Sequence, residues 1–410
     1  MLLKREIYLS RIRQFYDIDL IKVITGVRRS GKSKLLETIM DEIKEKGVKE
    51  DHMIYMNFED LAFDDINTAV ELNDYVKNKM VDSDKYYVFL DEIQHVNEFE
   101  KAIASMKATL SVSIFVTGSN SRLLSGELAT LLTGRTVEFE IQPFSFSEVK
   151  DYFDLHHMKF SADDDIYEYI KWGGFPQRFD ITGESEIRLY LQSLYDSIIN
   201  KDILINKNSF DKRMFKQISL YIMANASKEF SVDNVVNYYN NVNSANKKTV
   251  SKRTVYNYLE KMEKAYLLKS VKRYNIVGKE ALKGREKHYA VDMGFRTIHT
   301  NTINFEDTFF LENVIYNELV LRGYHIFTGK TYKGEVDFVA IKDGKKCFIQ
   351  VAYLLASKET IEREFGAYKP ISDASPKYVL SLDKIDMSRD GIIHLNIVDF
   401  LLHKVDLVIS

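Results

Sequence analysis

The chain has 410 residues, 45% hydrophobic and 29% charged, with 4 prolines, one cysteine and a net charge of -3. That length exceeds what one core serves and points to roughly two to four domains. The lone thiol, Cys347, excludes a disulfide framework and fits a reducing cytosol. No apolar run reaches the ~18 residues a bilayer span needs, and Met1-Leu2-Leu3-Lys4-Arg5-Glu6 meets charge too early for a signal peptide.

An apolar run, Ile21 to Thr25, leads into Gly26-Val27-Arg28-Arg29-Ser30-Gly31-Lys32-Ser33 and then Lys34 and an apolar helical stripe through Leu35, Leu36 and Ile39. This is a phosphate-binding loop between a strand and a helix. Its two glycines let successive N–H groups converge on a phosphate, and the helix start adds partial positive charge. In that pattern Lys32 reaches the β- and γ-phosphates of ATP and the Ser33 hydroxyl is a ligand to Mg²⁺.

Met53-Ile54-Tyr55-Met56-Asn57-Phe58 reads as a further strand. Tyr86 to Leu90 is a buried strand that ends in Asp91 and Glu92. After a phosphate loop, the first acid holds Mg²⁺ through water and the second takes a proton from the attacking water. Ser113 to Thr117 forms a strand tipped by Gly118, Ser119 and Asn120, where a polar group orients that water or caps the next helix. Thr136 to Ile141 alternates apolar and polar residues as a fifth strand, preceded by Thr133-Gly134-Arg135.

These motifs in this order resemble the AAA-type ATPases, and more narrowly the prokaryotic AAA-type family with a C-terminal region of unknown function. Leu90-Asp91-Glu92-Ile93-Gln94, Thr117-Gly118-Ser119-Asn120-Ser121, Leu132-Thr133-Gly134-Arg135 and Gln142-Pro143-Phe144-Ser145-Phe146 carry the likeness. The resemblance implies an α/β fold with a parallel sheet of order 5-1-4-3-2. It also implies Ser119 as a strand-tip sensor, Arg135 as an arginine acting on a neighbouring subunit, and hydrolysis at contacts in a homo-oligomer.

Residues 1–144 are therefore the expected ATPase core. Residues 145–208 carry three helical stripes, interrupted at Trp172-Gly173-Gly174-Phe175-Pro176, and are the expected helical lid. There Arg178 reads more naturally as a surface residue than as a phosphate contact. Residues 209–298 suggest three helices and a hairpin, a winged helix-turn-helix. From Ala245 to Ala290 thirteen lysines and arginines face four acids. Lys247, Lys248, Lys252 and Arg253 open the third helix, where such folds contact DNA, and Lys279, Lys283 and Arg285 fall in the hairpin. The plain alternative is a basic face that meets a protein partner.

Residues 299–410 resemble a restriction-endonuclease-like core, with Glu312 on a helix, Asp337 on a strand, and Gln350-Val351-Ala352 where that fold carries Glu-x-Lys. Gln350 keeps an oxygen but no charge and Ala352 cannot assist a water, so the expectation is a degenerate site with cleavage lost. Two functional readings follow: an ATP-hydrolysing oligomer that engages DNA, or a nucleotide-gated protein-interaction switch with little turnover; an active C-terminal site would instead make the chain an ATP-dependent nuclease. Glu92 favours the first, because a switch needs no placed base.

Overall fold

The computed structural model describes residues 2–120, 132–204, 211–242, 249–276, 278, 280–300, 308–332 and 334–409, without the side chains of 280–285. Two compact units emerge, Met1–Pro143 with Lys264–Tyr266, and Phe144–Glu263 with Leu267–Ser410.

The first unit holds strands β1 (Ile21–Thr25), β2 (Met53–Asn57), β3 (Tyr86–Asp91), β4 (Val112–Gly118) and β5 (Thr136–Glu140). All run parallel in the order 2-3-4-1-5, which is the expected 5-1-4-3-2 read from the other edge. Helices α1 (Glu6–Ile12), α2 (Lys32–Glu45), α3 (Ala69–Lys79) and α4 (Phe99–Thr109) accompany them. The three inner strands are buried along their whole length, because a parallel sheet is covered on both faces. Their unbroken apolar runs are the sequence signature of that burial. Val23, Leu90 and Val116 meet Leu72 and Ile103 in one core, and the carboxyl ends of β1, β3 and β4 point the same way, where ligands sit in such sheets.

The second unit contains α5 (Phe146–Leu155), α6 (Ala162–Trp172), α7 (Glu184–Ile198), α8 (Lys212–Ala224), α9 (Val232–Val242), α10 (Lys252–Lys264), α11 (Met293–Thr297), α12 (Thr308–Leu321), α13 (Lys358–Gly366) and α14 (Ile397–Leu401). Its strands are β6 (Leu268–Asn275), β7 (Glu280–Ala290), β8 (His325–Lys330), β9 (Glu335–Lys342), β10 (Lys345–Val351), β11 (Lys377–Ser381) and β12 (Ile393–Asn396). They form one sheet of order 12-11-10-9-8-6-7. The β6–β7 hairpin, expected as a separate wing, is thus built into the C-terminal sheet: β6 pairs parallel to β8 at Arg273–Thr328, and Ile276 packs with Val336.

Phe146, Ile166 and Ile170 of the expected lid share one core with Tyr289, Phe310, Phe338 and Tyr378. Their stripes were legible as helices; the surface they bury against was not. The Gly-Gly turn has a packing reason as well as a helix-stopping one. A Cβ on Gly173 would lie 1.8 Å from Asp292 Oδ1, and one on Gly174 2.0 Å from the Phe144 carbonyl oxygen. Asp292 accepts the Gly174 N–H at 2.7 Å and caps α11 through Gly294 at 2.8 Å. Arg178 is buried, not on the surface, and its Nε donates to the Gly173 carbonyl at 2.6 Å.

Candidate nucleotide site and a second polar cleft

The loop between β1 and α2 is bent as its glycines require. Gly26 and Gly31 have φ of 137° and 99°, and a Cβ on Gly26 would stand 2.1 Å from the Ile141 carbonyl oxygen. Only glycine fits there. Lys32, 4% exposed, donates from Nζ to the carbonyls of Gly26 (3.1 Å) and Val27 (3.3 Å) and stands 3.7 Å from Glu92 Oε1. Arg28 pairs with Glu59 at 2.8 Å.

Asp91 ends β3 fully buried and receives hydrogen bonds from the hydroxyls of Thr117, Ser33 and, at 3.3 Å, Tyr55. Burial raises its carboxyl above the usual range, against those hydroxyls. Glu92 follows with a left-handed backbone, φ 52°, and its N–H donates to Thr117 Oγ1 at 2.9 Å. Burial pushes its carboxyl up, but Lys32 beside it, with Gln94 and Arg28, leaves it below the usual value. An acid paired with a hydroxyl at one point, with a lysine and an ionised carboxylate beside them, is the donor set that Mg²⁺ and a triphosphate need.

Ser119, fully buried, hydrogen bonds to Glu92. Ser121 lies outside the described residues. Arg135 is exposed at the start of β5, its carbonyl accepting the Ile21 N–H at 2.8 Å. The loop follows the other end of β1, about 16 Å away at ~3.3 Å per residue, so Arg135 does not face its own chain's loop. Thr117, Tyr55 and Gln94 had no role in the sequence reading. A polar residue inside an apolar strand, as at Thr117, was the available signal.

The second unit brings Glu312, Asp337 and Gln350 to one cleft of about 710 Å³. Glu312 accepts from Lys287 Nζ (2.9 Å) and Tyr289 Oη (2.6 Å). Asp337 accepts the Val351 N–H at 2.8 Å, while its own N–H donates to Gln350 Oε1 at 2.7 Å. Gln350 Nε2 donates to Glu364 at 2.8 Å, and Glu364 pairs with Arg363 at 2.7 Å. Burial, then the neighbouring Glu312, push the Asp337 carboxyl up to about 8. The oxygen of Gln350 is thus spent on backbone and Ala352 lies in an apolar cluster with Phe348 and Val379. These residues fit a cross-linked polar floor and not a Mg²⁺ site. Lys287 and Glu364 were not singled out for this cleft in the sequence.

Of the cationic residues read as DNA contacts, Lys247 and Lys248 lie outside the described residues, as do the side chains of Lys279, Lys283 and Arg285. Lys252 pairs with Asp233 at 2.6 Å, and Arg253 is exposed on α10.

The sheet order, the glycine-bent loop and the acids at the tip of β3 define a phosphate-loop NTPase of the AAA type. The AAA domain family matches residues 19–150, and a domain of unknown function, DUF8612, matches residues 163–305. An uncharacterized protein of Haemophilus influenzae is 33% identical, covering 98% of this chain and 99% of the relative. One from Methanocaldococcus jannaschii is 32% identical, covering 90% and 81%. The chain belongs to the prokaryotic AAA-type P-loop ATPase family with these relatives. Among solved structures, the Aeropyrum pernix ORC2 protein in ADPNP-ADP complexes aligns at 14% identity over 65% of this chain and 85% of that one, TM-score 0.41. AMPPCP-bound DnaA from Aquifex aeolicus aligns at 15% over 63% and 86%, TM-score 0.30. Scores this low carry no argument about function. Among the described residues no helix is long and apolar enough to cross a membrane.

Proposed function

We propose that this chain hydrolyses ATP as a homo-oligomer and that duplex DNA engages its second unit. The observation that carries the ATPase reading is the meeting of Lys32, Glu92, Asp91 and Thr117 within one buried cluster at the end of the sheet. The residues from Gly26 to Lys34 cradle the phosphates, and Lys32 neutralises charge on the β- and γ-phosphates. Ser33 and Asp91 are the residues that would hold Mg²⁺, whose charge offsets that of the phosphate oxygens. Glu92, ionised at neutral pH beside Lys32, accepts the proton of the attacking water.

Thr117 fixes both acids by donating to one and accepting from the backbone of the other. Ser119 holds the Glu92 carboxylate from the tip of β4. Arg135, exposed at the amino end of β5 and so at the end of the sheet away from its own loop, acts on a neighbouring subunit's nucleotide. Support for DNA is the basic stretch around α10 and β7. The helical lid is assigned to residues 145–208, the helix-turn-helix to the helices of 209–298, whose β6–β7 hairpin joins the sheet of the third part, and the inactive nuclease-like region to 299–410. The test is steady-state ATPase activity of the purified full chain with and without duplex DNA. Turnover that DNA stimulates supports the proposal, while a stable ATP complex with negligible turnover, indifferent to DNA, overturns it.

A further inference from the structure

Arg5, immediately before α1, is buried at 3% exposure. Its Nη1 donates to the Ser30 carbonyl inside the phosphate loop at 2.9 Å. Its Nη2 donates to the Gln142 carbonyl at 2.9 Å and reaches the Pro143 carbonyl at 3.4 Å. One guanidinium therefore ties the loop after β1 to the chain that leaves β5. The seat of that guanidinium is itself fixed. It lies over the Tyr8 ring, 4.7 Å from its centroid, and the Tyr8 hydroxyl accepts the Gln142 N–H at 3.0 Å. Leu9 and Ile12 anchor the same helix in the core. Just past the helix, Arg13 grips both carboxylate oxygens of Glu42 on α2, at 2.9 and 2.6 Å.

The peptide group between Ser30 and Gly31 is planar and trans, so its carbonyl and its N–H point in opposite directions. Gly31 sits at φ 99°, and without a Cβ both signs of φ are open to it. A peptide next to such a residue can flip. The flip would turn a carbonyl dipole to the side where the Gly31 N–H now lies, and a carbonyl repels phosphate oxygens where an N–H attracts them. The Arg5 bond to the Ser30 carbonyl opposes that rotation. Ser30 is fully buried, so a carbonyl turned away from Arg5 gives up a charge-assisted bond in a place closed to water.

We infer that Arg5 is a positioning residue for nucleotide binding: it locks the Ser30–Gly31 peptide with the Gly31 N–H turned away from Arg5, toward the phosphate cradle. This rests on the proposed ATPase reading and adds that a residue outside the loop preforms it. A preformed cradle favours ground and transition states alike, so its signature is affinity and not the chemical step.

The experiment measures ATP and ADP affinity, kcat and KM of the full chain for wild type, Arg5→Ala and Arg5→Lys, with thermal melts to establish folding. Arg5→Ala should weaken both nucleotides and raise KM about ten- to a hundredfold, the worth of a buried bond to a charged donor. Its kcat at saturating ATP should stay within about twofold of wild type. Millimolar ethylguanidinium should return part of the lost affinity, while ethylammonium, equal in charge but without the planar fork, should not. Arg5→Lys refills the space and keeps the charge, yet one ammonium cannot serve Ser30 and Gln142 in the same parallel geometry. It should show a smaller rise in KM with kcat unchanged, and it carries the test if Arg5→Ala fails to fold. Wild-type affinity in the variants that fold, a fall in kcat with KM unchanged, or equal rescue by ethylammonium overturns the inference while leaving ATP binding standing. Wild type that binds no ATP removes the ATPase reading, and this inference with it.

Discussion

Lys32 Nζ and Glu92 Oε1 face each other across 3.7 Å with side chains only 4% and 9% exposed. A buried carboxylate alone would rise toward neutrality; Lys32 beside it, with Gln94 and Arg28, holds the Glu92 carboxyl below the usual range.

Thr117 is the hinge of this arrangement, because its hydroxyl serves Asp91 and the Glu92 N–H together. Thr117→Val keeps the shape and removes both bonds, which leaves a buried N–H unsatisfied at a cost of about 1–3 kcal/mol. The expected outcome is a lower kcat with KM nearly unchanged, together with a modest loss of stability, and recovery of kcat in Thr117→Ser. Equal loss in the serine and valine variants would show that the methyl group, not the hydroxyl, matters.

Arg135→Ala is expected to remove hydrolysis while sparing nucleotide affinity. Mixing it with Glu92→Gln tests the route. The second variant lacks the base but supplies Arg135, so partial recovery of turnover is the expected result. A strictly monomeric protein with no recovery on mixing contradicts action on a neighbouring subunit.

Lys22 lies fully buried in β1, donating to Ser113 Oγ at 2.7 Å and to the Ile18 carbonyl at 3.0 Å. Burial, then the charge of Lys85, bring it down to about 7. In the unfolded chain it titrates near about 10.4. Between those values the unfolded state holds a proton that the folded state has shed, so stability rises with pH from about 7 to about 10. Lys22→Met should flatten that rise in thermal melts at about pH 6, 8 and 9. An unchanged pH profile would mean the lysine stays charged when folded.

Duplex DNA incubated with Mg²⁺ or Mn²⁺ should stay intact, because Gln350 has its oxygen engaged by the Asp337 N–H at 2.7 Å and Ala352 offers no cation. Metal-dependent nicking that disappears in Asp337→Ala would reverse this, and would make Lys287 the first residue to examine.

The nucleotide loop and the strand order were legible because each is a local signal: apolar runs mark buried parallel strands, and Gly26, Gly31 and Lys32 have fixed spacing. Thr117 was marked only as a polar residue in an apolar strand, and its partners stayed hidden because the pairing of neighbouring strands is what brings Asp91 alongside. Lys287 was visible only as one charge in a basic stretch, and its partner Glu312 lies 25 residues away. The merging of the β6–β7 hairpin with β8 was equally hidden, because sequence periodicity gives a strand's faces and not its neighbour.

The most direct test of the central claim compares wild type, Glu92→Gln and Lys32→Ala for ATP affinity and single-turnover hydrolysis. Glu92→Gln should bind ATP as wild type does and lose about 10²–10⁴ in rate, the usual worth of a placed base, while Lys32→Ala should lose affinity itself. Wild-type turnover in Glu92→Gln, or wild-type affinity in Lys32→Ala, would contradict the assignment of this cluster as an ATP-hydrolysing site.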